Sequence, residues 1–206
     1  MSSTPSWYRI PEIPFRDYVD TLTMIYDVFE ENTKQTTDED IFLKTIMTNR
    51  FNVQTQWHDL LQHRKFEKRL TMRLGKLHET LSGKITGYEK CPPRHARKCD
   101  VRKNDDSEYF ELKNKYNTMN SESSKQVHLK LRQLMDSGKQ AFLVLINCRQ
   151  GRKVPRFSFH SGIHVINGKQ FYQRLSGRET FYNDLLRTLA YTFQHYKIYS
   201  DLIELL

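Results

Sequence analysis

Apolar positions early in the chain repeat with a helical period. Phe15, Tyr18, Val19, Leu22, Ile25, Tyr26 and Phe29 recur at three- and four-residue steps, the spacing that gathers side chains on one face of an α-helix. Met1 to Pro14, ahead of them, is rich in Ser and Pro and reads as an extended arm. Asn32 to Thr37 is a polar loop, and Asp38 is placed to cap a short helix carrying Ile41, Phe42 and Ile46. A longer helical stretch runs from about Gln54 to Leu81. Trp57, Leu60 and Leu61 mark its first apolar face, and Phe66, Leu70, Leu74, Leu77 and Leu81 the second. The slip in phase between Leu61 and Phe66 predicts a kink or break, and Gly83 stands where a C-terminal cap belongs.

From Ile85 the pattern changes. Lys84 to Cys91, Lys98 to Lys103 and Ser107 to Lys113 read as short strands, with turn chemistry at Asn104, Asp105 and Asp106. Val127, Leu131, Leu134 and Met135 make the stripe of a helix from about Ser121 to Met135, capped by Asn120 or Ser121 and ended by Gly138. Ala141 to Asn147 is a continuous apolar run, as expected of a strand covered on both faces. Arg156 to His160 and Ile163 to Ile166 suggest further strands, with Asn167-Gly168 as a tight turn. A last helix spans about Glu179 to Tyr196, its face formed by Tyr182, Leu185, Leu186, Leu189, Phe193 and Tyr196. Helices followed by mixed strands and helices predict an α/β fold with an N-terminal helical layer. The expected organisation is a single domain over residues 1–206, mainly helical over 1–83 and α/β over 84–206.

Composition supports a folded chain: 206 residues, 37% hydrophobic and 12% aromatic, exclude a disordered polymer. A formal charge of +9 favours a polyanionic partner, nucleic acid first among them. Three cysteines, Cys91, Cys99 and Cys148, make no disulfide framework and suit a reducing cytoplasm. No signal peptide is visible over Met1 to Phe15, and the longest apolar run, Ala141 to Ile146, is too short to span a bilayer, so no membrane partner is expected. No glycine-rich phosphate loop or nucleophile elbow is present. Cys91, His95 and Cys99 offer three zinc ligands at four-residue steps, one short of a structural site and wider than tight Cys pairs.

The chemistry concentrates between Cys99 and Lys113. Side chains alternate across a strand, so Glu111 and Lys113 share a face. A hairpin through Asn104 to Ser107 brings Asp100 beside Glu111. Two carboxylates and an ammonium group would then converge. Phosphodiester hydrolysis needs such a set: oxygen ligands for a hard divalent cation that polarises the phosphoryl group and activates water, and a lysine that orients that water and stabilises the charge building up on phosphorus. Oxygen donors suit Mg2+, with Mn2+ as a substitute.

Asp100 followed by Glu111-Leu112-Lys113 resembles the PD-(D/E)xK nuclease pattern, with Cys99 where that pattern often carries proline. The run Glu111-Leu112-Lys113-Asn114-Lys115-Tyr116-Asn117-Thr118-Met119-Asn120-Ser121 is similar to one found in a group of type II restriction endonucleases. So are Gly168-Lys169-Gln170-Phe171-Tyr172, Leu175-Ser176-Gly177 and Phe181-Tyr182, and the resemblance covers roughly Cys99 to Leu189. It implies a restriction-endonuclease-like core, a central mixed sheet flanked by helices, that cuts double-stranded DNA at a short palindromic site. It further implies Asp100 and Glu111 as metal ligands, Lys113 as the water-positioning residue, a homodimer and a cognate DNA methyltransferase. Alternatives are a structure-specific or repair nuclease of the same fold and a non-catalytic DNA-binding protein.

Candidate DNA contacts follow the motif. Asn114, Asn117 and Asn120 carry amides able to pair with adenine, Lys115 and Thr118 lie between them, and Ser123 and Lys125 occupy the first turn of the next helix. Arg149, Arg152, Lys153 and Arg156 form a basic loop, and Arg64, Lys65, Lys68, Arg69, Arg73 and Lys76 a basic helical cluster; both also read as solvated surface. Glu79 and Glu89 are upstream acidic candidates for the metal, with surface residues as the plainer reading, and His160 and His164 read as ordinary strand histidines.

Overall fold

The structure, a computed structural model, describes residues 4–31, 57–92, 99–114, 121–147 and 163–206. Two helices come first, α1 (Phe15–Glu31) and α2 (Trp57–Ser82). Strands β1 (Tyr88–Lys90), β2 (Val101–Lys103) and β3 (Glu108–Lys113) lead into α3 (Ser121–Asp136). Then come β4 (Gln140–Leu145), β5 (His164–Asn167), α4 (Gly168–Ser176), α5 (Phe181–His195) and α6 (Tyr199–Ile203). The sheet has the order β1-β2-β3-β4-β5; its first three strands are antiparallel, and β3, β4 and β5 run parallel.

Alternation along the strands sorts the core into two layers. Phe110 and Leu112 of β3, with Phe142 and Val144 of β4, face a large core shared with α1, the C-terminal half of α2, α4 and α5. Tyr109 of β3, with Ala141, Leu143 and Leu145 of β4, faces α3 through Val127, Leu131 and Leu134. Strand β4 lies between two parallel neighbours and is buried from Ala141 to Leu145, as its unbroken apolar run predicts. Among the described residues, no helix is long and apolar enough to cross a membrane.

Four expectations need correction. The segment ahead of α1 is no loose arm: Tyr8, Ile10 and Ile13 are buried, Trp7 stacks on Tyr191 at 5.0 Å, and the Tyr8 hydroxyl donates to the Ile13 carbonyl at 2.7 Å. Its apolar residues follow no regular period, so the Ser and Pro content dominated the sequence signal. Helix α2 is one 26-residue helix without the expected break. Phe66 packs near Phe29, with ring centroids 5.9 Å apart, and Leu77 and Leu81 reach the core. Gly83 adopts no left-handed cap; a Cβ there would lie 2.4 Å from the Lys90 backbone nitrogen, so the glycine lets β1 pass close to the end of α2.

Asn167-Gly168, finally, is a helix start rather than a tight turn. The Asn167 side chain accepts from the Gln170 N–H and the Gln170 side chain accepts from the Asn167 N–H, both at 3.0 Å, closing a capping box. Asparagine serves turns and N-caps alike, and the glutamine three residues on was the signal that separates them. A Cβ on Gly168 would lie 2.5 Å from the Ile146 carbonyl oxygen. The expected helix around Ile41 and the expected strand from Arg156 to His160 lie outside the described residues.

Candidate active site

The hairpin β2–β3 is tied at its turn. Asp105 accepts from the Ser107 N–H at 3.0 Å, while Asp106, with φ 63°, accepts from Arg102 at 3.0 Å and from the Tyr109 hydroxyl. Hydrogen bonds made locally by Asx side chains favour such turns. Pairing of Val101 with Phe110 and Arg102 with Tyr109 then fixes the register. Asp100, just ahead of β2, leaves that register: its N–H donates to the Phe110 carbonyl at 3.0 Å, and its carboxylate turns towards β3 near Glu111. The sequence-predicted trio is thereby brought together.

Asp100 Oδ2 accepts the Leu112 N–H at 2.7 Å. Burial, then the neighbouring negative charge of Glu111, push the Asp100 carboxyl up to about 6; Glu79 pushes the same way, against the Leu112 N–H and Lys113. Glu111 is only 4% exposed. Its Oε1 accepts from Lys113 Nζ at 2.6 Å, and its Oε2 accepts from Lys130 Nζ. Lys130 reaches across from α3 and was not singled out from the sequence. The signal was there: it falls three residues after Val127 and four before Leu134, a charge set into the apolar stripe that faces the sheet.

Two carboxylates held close enough to repel each other are a hard-oxygen donor pair that a divalent cation would relieve. Among the described residues no three His, Cys, Asp or Glu side chains gather into a metal cage. Two oxygen-donor side chains suit a hard divalent cation that keeps several of its waters. Glu79 adds negative charge felt at Asp100, and is half-buried and paired with Lys90 at 3.2 Å. Glu89 is spent on Arg102 across the β1–β2 pair.

Cys91 and Cys99 are buried thiols, pushed up to about 11 and about 12 mainly by burial, as expected of packing residues rather than nucleophiles. His95 and Cys148 lie outside the described residues, as do Lys115, Asn117, Thr118, Asn120, Arg149, Arg152, Lys153 and His160. Asn114 is described, and its amide oxygen accepts from Asn147 Nδ2 at 2.6 Å. That bond joins the ends of β3 and β4. The parallel ladder also continues through Ile146 N–H to Lys113 O at 2.9 Å and Asn147 N–H to Asn114 O at 3.1 Å. Lys125 is exposed and Ser123 half-buried on the first turn of α3. His164 stacks on Phe142 with ring centroids 5.4 Å apart, in keeping with a strand histidine.

The profile of the Eco47II restriction endonuclease family matches residues 15–197. The chain belongs to this family. It is also 27% identical over 195 residues to the type II restriction enzyme Sau96I of Staphylococcus aureus, across 86% of this chain and 65% of that enzyme. The chain thus spans just under two thirds of the length of that relative. Membership in the Eco47II family extends the resemblance upstream: the match takes in α1 and α2, which the local motifs left unmatched. The mixed five-stranded sheet with helices on both faces is the restriction-endonuclease-like α/β fold expected of the family.

Proposed function

We propose that this protein is a divalent-cation-dependent type II restriction endonuclease that hydrolyses phosphodiester bonds of double-stranded DNA at a short palindromic site, leaving 5′-phosphate ends. The observation that carries the reading is the Asp100 carboxylate held on the Leu112 N–H at 2.7 Å and repelled by Glu111, with Lys113 bonded to Glu111 at 2.6 Å. Family membership supports it independently.

Asp100 and Glu111 would hold Mg2+, or Mn2+ in its place. Bound there, the cation polarises the phosphoryl oxygen and makes water a nucleophile near neutral pH. The protein's own groups do the rest. The Leu112 N–H fixes the Asp100 carboxylate beside the strand that carries Glu111. Lys113, with three donor hydrogens and no acceptor, orients the attacking water and stabilises negative charge on the phosphoryl oxygens in the transition state. Asn114, Lys115, Asn117, Thr118, Asn120, Ser123 and Lys125 follow the motif directly in the chain, and together with Arg149, Arg152 and Lys153 are the proposed DNA contacts. The overall +9 charge favours approach to the duplex. Palindromic cleavage calls for a two-fold homodimer, and host protection for a cognate methyltransferase.

The test is digestion of a plasmid of known sequence in Mg2+, with mapping of the ends. Discrete fragments with palindromic termini are expected. Lys113→Ala and Asp100→Ala should retain DNA binding and lose cutting; either variant cutting at the wild-type rate would overturn the assignment.

A further inference from the structure

Glu111 carries one more cation than the motif explains. Both of its oxygens are occupied by ammonium groups, Lys113 from its own strand and Lys130 from α3. The carboxylate is buried, so neither attraction is much screened. A divalent ion seeking Glu111 must displace an ammonium group or share the carboxylate with it. Lys113 is two residues away on a rigid strand. Lys130 comes from another element on a flexible four-carbon stem, and 21% of its side chain still meets solvent.

We propose that Lys130 couples cation binding to DNA binding: it neutralises Glu111 in the free protein and passes its charge to a DNA phosphate when a divalent cation takes that carboxylate. This rests on the reading of Asp100 and Glu111 as cation ligands. The charge balance gives the direction. In the free protein Asp100, Glu111, Lys113 and Lys130 sum to zero, so a divalent ion leaves a partly enclosed pocket doubly positive. A phosphate entering with it removes one of those charges and gives Lys130 a new acceptor. Each ligand therefore favours the other, and by reciprocity to the same degree. Lys130 acts through Glu111 and the phosphate, as a positioning residue.

The experiment measures Mn2+ binding to the DNA-free full chain by electron paramagnetic resonance of the free ion. Wild type, Lys130→Met, Lys130→Gln and Lys130→Arg are compared, and melting temperatures in EDTA confirm folding. Lys130→Met and Lys130→Gln should bind Mn2+ between about five- and a hundredfold more tightly than wild type, and Lys130→Arg like wild type. In a second arm, Ca2+ should strengthen filter retention of plasmid DNA by wild type and by Lys130→Arg, and much less by the two neutral variants. Mn2+ affinity that is unchanged or weakened in the neutral variants overturns the proposal, as does full Ca2+ enhancement of their DNA retention. Failure of all four proteins to bind Mn2+ overturns the carboxylate reading itself, whereas wild-type binding with no shift in the variants overturns only the role of Lys130.

Discussion

His78 offers a pH test of how the N-terminal helices are joined to the rest of the fold. It lies on α2, and its Nδ1 pairs with the Tyr172 hydroxyl of α4 at 2.8 Å. Burial lowers its pKa from 6.5 to about 4. The folded state therefore binds fewer protons than the unfolded chain between those values, and stability falls as pH drops through 6.5. At pH 5 the unfolded histidine is almost fully protonated and the folded one almost fully neutral. Linkage then puts the loss, relative to pH 7.5, at about 2 kcal/mol. The side chain is partly rather than completely enclosed, so solvent screening brings this to about 1–2 kcal/mol. His78→Gln keeps hydrogen-bonding capacity and removes the titration. Urea unfolding in EDTA at pH 7.5, 6 and 5 should show the wild type losing that amount relative to the variant, whatever offset the substitution itself introduces. Parallel pH profiles for the two proteins would refute the argument.

Phe110 stacks on Phe142 at 5.0 Å and meets Phe171 edge-on at 5.3 Å in the large core. Phe110→Ala should cost about 3–5 kcal/mol by urea denaturation, and a loss below 1 kcal/mol would mean that the site collapses around the missing ring. Arg178 clamps the segment ahead of α1, bonding both oxygens of Glu12 at 2.6 and 3.0 Å, the Arg9 carbonyl at 2.9 Å and Asp184 at 2.5 Å. Arg178→Met should destabilise by about 2 kcal/mol and speed proteolytic cutting before Phe15; unchanged digestion kinetics would show that the aromatic contacts hold this segment unaided.

The parts legible in the sequence were those governed by local periodicity. Period-two alternation placed Glu111 beside Lys113, the Asx-rich turn brought Asp100 back to β3 near them, and the apolar run after Gln140 marked the strand enclosed by its neighbours. What stayed hidden depends on distant parts of the chain. The apolar stripe of α3 turns Lys130 towards the sheet, but its meeting with Glu111, nineteen residues away, is set by how α3 folds back over β3. The burial of Tyr8, Ile10 and Ile13 depends on α5 packing from the far end of the chain, through contacts such as Arg9 N–H to Thr188 at 3.3 Å. At Asn167 two local structures use the same residue type, and the apolar spacing of Phe171, Tyr172 and Leu175 favours the helix.

The bonds from Ile146 and Asn147 to Lys113 and Asn114 carry the ladder beyond the last residues assigned to β3 and β4. The chain thus leaves β3 and β4 side by side, at Asn114 and Asn147, from a single rigid root next to the lysine of the motif, and the stretches that follow in sequence are rich in asparagine and in arginine. Any tug on either stretch is transmitted to that lysine through backbone rather than through pliable side chains. On the proposed assignment of these stretches to DNA contact, reading of a base sequence and cutting of the strand are mechanically linked, so that altering specificity by replacing either stretch would disturb turnover as well.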